Sequence, residues 1–233
     1  MSRITCAICV LAVVVVSGLC AVLSPATAAG SPEPVEIRAP EASRGDFTGL
    51  LFRPSGAGPF PAVLALHGCG GLLTKSGRLQ AREADWAERF TQAGYVVLFP
   101  DSFTARGMRE ICTQRERTID PRDRADDAKA AVAWLQTQSF VDPTRIALLG
   151  WSHGAMTVLA TLRPDFLGAA PPFKVAVALY PGCRATLRQA DWHPSVPLTL
   201  LIGAEDDWTE PGPCKDLAAR EGFRFVAYPG AYH

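Results

Sequence analysis

The stretch that most constrains this chain is Leu148-Leu149-Gly150-Trp151-Ser152-His153-Gly154-Ala155-Met156. Ahead of it, Arg145-Ile146-Ala147-Leu148-Leu149 is apolar and bounded by the turn signal Asp142-Pro143-Thr144, the pattern of a central strand covered on both faces. A helix follows at once. The residues between fit G-x-S-x-G, a nucleophile elbow, in which a strained strand-to-helix turn lifts a serine above the sheet edge. Both glycines have a steric reason, because a Cβ at either place would collide with the neighbouring strand or helix. The turn leaves Oγ of Ser152 at a helix N-terminus, where the amide of His153 and the helix dipole favour developing negative charge. As plain structure the serine would be a helix N-cap, and the rest of the chain decides between the two.

With 233 residues, 48% of them apolar, the chain suits one domain with a substantial core. Its 23 basic and 23 acidic residues cancel, so it lacks the basic footprint of a nucleic-acid binder and the polybasic face that anionic membranes attract. Arg3, the apolar run from Ile4 to Leu23 and the small-residue site Ser24-Pro25-Ala26-Thr27-Ala28-Ala29 read as a secretory signal peptide over 1–28, cleaved near Ala28. Residues 29–45, rich in Pro and Glu, are expected to be an N-terminal arm outside the core. The domain then spans 46–233. Its product is expected to be periplasmic or secreted, without stable membrane association after cleavage. Cys6, Cys9 and Cys20 leave with the signal, and Cys69, Cys112, Cys183 and Cys214 remain. An oxidising compartment permits these four to form two disulfides in any of three pairings. None of their spacings resembles a zinc site, and no histidine pair has metalloprotease spacing, so no metal is expected.

Strand and helix patterns alternate along the domain. Strand compositions at 46–54 and 61–66 flank the turn Ser55-Gly56-Ala57-Gly58-Pro59. Residues 79–93 form an amphipathic helix with Trp86 and Phe90 on one face and Gly94 as its stop, and 95–99 is a buried strand. Asp120-Pro121 opens a helix as N-cap and N1, with Ala128, Ala131, Val132 and Leu135 on its buried face. Further strands are expected at 175–180, 198–202 and 223–228. This alternation predicts an α/β fold, a mostly parallel, doubly wound sheet with helices on both faces.

The chemistry collects at the strand ends. The 61–66 strand runs straight into His67-Gly68-Cys69-Gly70-Gly71, a glycine loop placed to supply a second oxyanion donor. The amide of Cys69 is the candidate, with Gly70 as its neighbour. A loop at 100–107 opens on the same edge, where ligands bind in open α/β sheets, and offers Arg106 to a polar or anionic substrate group. Residues 108–118 are a charged segment placed to cover the site as a loop. A serine nucleophile needs a base and the base an orienting acid. Gly203-Ala204-Glu205-Asp206-Asp207-Trp208 follows the 198–202 strand and supplies Asp206, with Asp207 or Glu205 as fallbacks. His233 is the histidine that follows this acid in the order serine, acid, histidine. Trp151, Phe103, Trp208 and Tyr232 are candidates to line an acyl pocket.

Five elements in order carry a resemblance: His67-Gly68-Cys69-Gly70-Gly71, Pro100-Asp101-Ser102-Phe103, Gly150-Trp151-Ser152-His153-Gly154, Gly203-Ala204-Glu205-Asp206 and Tyr228-Pro229-Gly230-Ala231-Tyr232-His233. From about Phe47 to His233 the chain resembles the dienelactone hydrolase family of α/β hydrolases. The resemblance implies hydrolysis of lactones or other esters through Ser152, Asp206 and His233, with the amides of His153 and Cys69 as oxyanion hole and no metal or organic cofactor. Two departures stand out. The family's namesakes use cysteine as nucleophile and this chain has Ser152, so it is similar to general carboxylesterases. Such proteins also continue past the histidine into a C-terminal helix, which is missing after His233. The alternatives are a peptidase or thioesterase on the same residues, or an exported binding protein that keeps the fold without turnover.

Overall fold

The apolar runs of the sequence become the middle of one eight-stranded sheet. A computed structural model describes residues 32–39, 45–116 and 118–233, so the signal segment at 1–28 lies outside the described residues. In chain order the strands are β1 (Glu33–Ile37), β2 (Phe47–Phe52), β3 (Phe60–Leu66), β4 (Val96–Pro100), β5 (Val141–Trp151), β6 (Val175–Leu179), β7 (Leu198–Gly203) and β8 (Arg224–Tyr228). The helices are α1 (Ala81–Gln92), α2 (Pro121–Gln136), α3 (His153–Thr161), α4 (Pro164–Leu167), α5 (Arg184–Leu187) and α6 (Pro211–Glu221). The sheet order is β1-β2-β4-β3-β5-β6-β7-β8. In this sheet the β1–β2 and β2–β4 pairings are antiparallel, and from β4 to β8 every pairing is parallel. Strands β3, β4 and the second half of β5, from Ile146, are buried on both faces, which explains their continuous Val, Leu, Ala and Ile.

Each face of the sheet carries its own core. On one side Ala128, Ala131 and Leu135 of α2 and Val158 and Leu159 of α3 share a core with Leu64, Leu98 and Leu148, and Leu217 of α6 extends it beside β7 and β8. On the other, Trp86, Ala87 and Phe90 of α1 pack on Val97, Phe99 and Trp151. Helix α2 starts where its sequence says it should: the Asp120 side chain accepts from the amides of Arg122 (2.6 Å) and Asp123 (3.2 Å), and Asp123 answers with a bond from the Asp120 amide (2.9 Å). Such a cap contributes about 1 kcal/mol.

Two readings of the sequence need correction. The expected arm contributes β1 to the sheet, where Ile37 is fully buried and Val35 packs beside it. Alternate residues on a two-residue period reach the core despite the Pro and Glu between them. The turn signal Asp142-Pro143-Thr144 lies inside β5, at a register shift against β3. Its turn chemistry survives there, with Asp142 Oδ1 accepting from the amide (3.0 Å) and hydroxyl (2.7 Å) of Thr144.

Candidate active site

The elbow forms as its glycines require. Ser152 has φ 53° and ψ −116°, a left-handed conformation that costs a non-glycine residue on the order of 1–3 kcal/mol. A Cβ at Gly150 would lie 2.4 Å from the Gly154 carbonyl oxygen, and one at Gly154 would lie 2.0 Å from that of Leu66. The nucleophile therefore sits where β5, β3 and α3 come closer than side chains allow. A hydrogen bond from the Ser152 amide to the Leu179 carbonyl (2.9 Å) ties the turn to β6.

Three loops from three strand ends meet at Ser152 Oγ. His233 places Nε2 3.0 Å from Oγ and Nδ1 2.9 Å from Asp206 Oδ2 and 3.1 Å from Oδ1. Asp206, directly after β7, is buried, and its own turn holds it: Oδ1 accepts from the amides of Trp208 (2.9 Å) and Thr209 (2.8 Å), and Oδ2 from the Thr209 hydroxyl (2.8 Å). Burial pushes its carboxyl up, but the bonds from Thr209 and His233 outweigh burial and leave it below the ordinary aspartate value. Asp207 and Glu205, the fallbacks, are more exposed, and the imidazole faces Asp206. The His233 ring is stacked on Trp208 (centroids 5.2 Å, interplanar 25°) and meets Tyr180 edge-on at 4.8 Å.

The glycine loop after β3 closes the other side. Its Gly71 amide bonds the Gly68 carbonyl (3.2 Å), and the Ile111 amide bonds the Cys69 carbonyl (2.9 Å). A disulfide joins Cys69 to Cys112, so the charged 108–118 segment is pinned to the loop, with Ile111 fully buried. The second disulfide, Cys183 to Cys214, ties the chain after β6 to α6, and of the three pairings open to the sequence the structure has this one. The cleft around Ser152 has a volume of about 380 Å³ and is lined by residues 68–71, Gln80 to Glu83, Cys112, Tyr180, Trp208 and His233. Among the described residues, no group of three or more His, Cys, Asp or Glu side chains is arranged to hold a metal ion.

The expected pocket residues divide. Trp208 lines the cleft and is 70% exposed. Arg106 does not reach the cleft: both of its terminal nitrogens bond Asp127 (2.9 and 2.8 Å), and Nη1 also bonds the Ser102 carbonyl (2.6 Å). A bidentate carboxylate already inside the protein satisfies the guanidinium better than a solvent-facing position would. Phe103 is buried beneath the glycine loop, edge-on to His67 at 4.6 Å. Trp151 is fully buried against Phe99 and Trp86, with the Arg82 guanidinium 5.1 Å from its ring. Both aromatics belong to the core, where such rings are commonly found. Tyr232 is exposed outside the cleft lining.

Several groups that shape the site escape a reading of the sequence. Thr209 has a signal, since a threonine three residues after an aspartate marks a turn. Tyr180 has φ 44° at the end of β6, and its hydroxyl accepts from Arg82 Nη1 (3.2 Å), while Arg82 Nη2 bonds Glu83. No local signal marks that tyrosine. Serine, imidazole and carboxylate in hydrogen-bonded series form an arrangement able to take a proton from Oγ and hold it.

Comparison with known proteins finds a family and a shared fold. Residues 47–233 match the model of the dienelactone hydrolase family. Quorum-quenching protein AidA of Acinetobacter baumannii is 34% identical over 115 residues, 49% of this chain and 35% of that protein. The chain thus spans about a third of the length of that relative. A Klebsiella pneumoniae structure assigned to dienelactone hydrolase superposes with a TM-score of 0.64 at 19% identity, covering 88% of each chain. Thermogutta terrifontis esterase 2, solved phosphoramylated by tabun, gives 0.60 at 18% identity over 86% of this chain and 84% of that one. At these identities the two structures speak for the fold alone.

Proposed function

This chain belongs to the dienelactone hydrolase family and has the α/β-hydrolase fold, and from that premise we propose that it hydrolyses small esters or lactones through an acyl-enzyme on Ser152. The observation that carries the reading is the unbroken series Ser152 Oγ, His233 and Asp206, with bonds of 3.0 and 2.9 Å. His233 Nε2 takes the proton as Oγ attacks the carbonyl carbon. Asp206, kept ionised by its turn, holds the proton of Nδ1 and stabilises the imidazolium. The amides of Cys69 and His153 receive the oxyanion, a role in which each donor contributes about 3 kcal/mol to the transition state. Collapse of the tetrahedral adduct expels the alcohol with the proton from His233. Water then attacks the acyl-enzyme with the same base.

The open cleft of about 380 Å³ suits substrates of modest size, with Trp208 as an apolar wall. The two disulfides support the reading that the protein works in an oxidising compartment after export.

The test is intact mass after incubation with a fluorophosphonate, followed by hydrolysis of short p-nitrophenyl esters, thioesters and anilides of equal acyl length. One adduct, absent in Ser152→Ala, with esters cleaved fastest, is the expected outcome. Faster turnover of anilides or thioesters would move the reading to a peptidase or thioesterase. A folded protein without adduct would leave only a binding role.

A further inference from the structure

Beneath the nucleophile lies a cation that the proton relay does not use. Arg124, on the first turn of α2, is fully buried. Its Nη1 is 2.9 Å from His153 Nδ1 and its Nη2 is 2.8 Å from the His67 carbonyl oxygen. A guanidinium only donates, so Nδ1 of His153 accepts and the imidazole proton sits on Nε2. The guanidinium also lies 5.1 Å from the centre of the Phe103 ring. Burial lowers its pKa to about 10, with Asp127 and Asp101 opposing that fall and Arg106 adding to it, which leaves it charged at neutral pH. Burial, with the Arg124 charge, holds His67 well below the usual histidine value and therefore neutral.

A buried charge carries a desolvation penalty of several kcal/mol that attraction alone seldom repays, so it is weak evidence for stability. The identity of its two acceptors is more telling. His67 begins the loop that holds the Cys69 amide, and His153 carries the other candidate oxyanion amide on its own backbone. The two segments touch, since a Cβ at Gly154 would lie 2.6 Å from the His67 carbonyl oxygen. Arg124 straddles that seam.

We propose that Arg124 is a positioning residue for the oxyanion hole, setting the spacing of the Cys69 and His153 amides by gripping the His67 carbonyl and the His153 ring at once. The inference rests on the ester-hydrolase reading. Losing one hole donor outright costs about 10²–10³ in kcat, and a residue that acts through the donors costs less.

The experiment compares wild type, Arg124→Met and Arg124→Lys on one activated ester, with a boronic acid as inhibitor, because boron adds to Oγ as a tetrahedral anion. Arg124→Met should lower kcat about 30-fold with KM within about twofold, and weaken boronate inhibition by the same factor as kcat. Arg124→Lys, which keeps the charge but reaches one acceptor, should fall between, and it decides alone if the Met variant does not fold. Folded variants with a lowered Tm but unchanged kcat and boronate affinity would overturn the inference and leave the ester reading intact. A wild type without Ser152-dependent hydrolysis would overturn both.

Discussion

The two halves of the proton relay are held in place by different physics. Ser152 sits at the centre of the sheet edge, just past the end of β5, which lies between β3 and β6, and steric exclusion leaves its backbone one path: Gly150 and Gly154 each stand where a Cβ would lie within 2.4 Å of a carbonyl oxygen. Asp206 and His233 come from loops after β7 and β8 at the edge of the sheet, among exposed Trp208 (70%), Tyr232 (69%) and Tyr228 (50%). There the acid is fixed by hydrogen bonds inside its own turn, and the histidine by that acid and two flanking rings. One backbone constraint ties acid and base to each other: a Cβ at Gly203 would lie 2.3 Å from the Ala231 carbonyl oxygen, so the acid strand and the histidine loop also meet too closely for a side chain. The nucleophile is thus part of the fold's core, while the acid and base are attached to it.

On that contrast, chemistry and stability separate on the histidine side and merge on the serine side. The largest effect is expected from His233→Ala, which should lower kcat at least about 10⁴-fold, or about 5.5 kcal/mol of transition-state stabilisation. Its Tm should stay within about 2 °C of wild type, because the ring is packed on the cleft rather than in the core. A large fall in Tm would show that the histidine loop also supports the sheet.

The next largest effect falls on the fold itself. Gly154→Ala forces a Cβ against the Leu66 backbone and should cost more than about 4 kcal/mol in denaturant unfolding, or leave no soluble protein. Gly230→Ala is the matched control in the histidine loop, with φ 69° and nothing within 4 Å of the place a Cβ would take. That change should cost about 1 kcal/mol, the conformational penalty alone. Equal losses at the two sites would erase the distinction between the halves.

The same contrast explains what the sequence discloses. Gly150 to Gly154 is readable because steric need writes itself into adjacent residues, and α2 because Asp120 and Pro121 cap it locally. The position of Asp206 after β7 follows from the order of elements. Arg106, by contrast, finds its partner 21 residues away in Asp127, and nothing around residue 106 announces it. Trp151 reads as a pocket residue because it adjoins Ser152 and Phe103 because its loop follows a strand end, but side-chain direction decides burial and local sequence does not encode it. The pairing of Cys69 with Cys112 depends on contact between the glycine loop and the covering segment, which spacing alone does not reveal. Strand β1 is hidden because two apolar residues, Val35 and Ile37, are too few to show a period against Pro and Glu.

The smallest expected effect is a pH dependence that tests how the acid is held. The Asp206 carboxyl lies below its ordinary value because bonds from Thr209 and His233 prevail over burial. An unfolded aspartate titrates near about 3.9. A group whose pKa is depressed on folding binds its proton more readily in the unfolded chain, so acid favours unfolding. The stability that Asp206 contributes is therefore complete above about pH 5, declines as the pH falls through about 3.9, and is gone below the folded-state value. Asp206→Asn removes the titration while keeping the side chain's size, so the gap in unfolding free energy between wild type and variant should narrow steadily from about pH 5 to about pH 2.5. Urea titrations at several pH values in that window would measure it. A gap that widened in acid would mean that burial prevails over the turn, and the acid half would then be held by packing, as the serine half is.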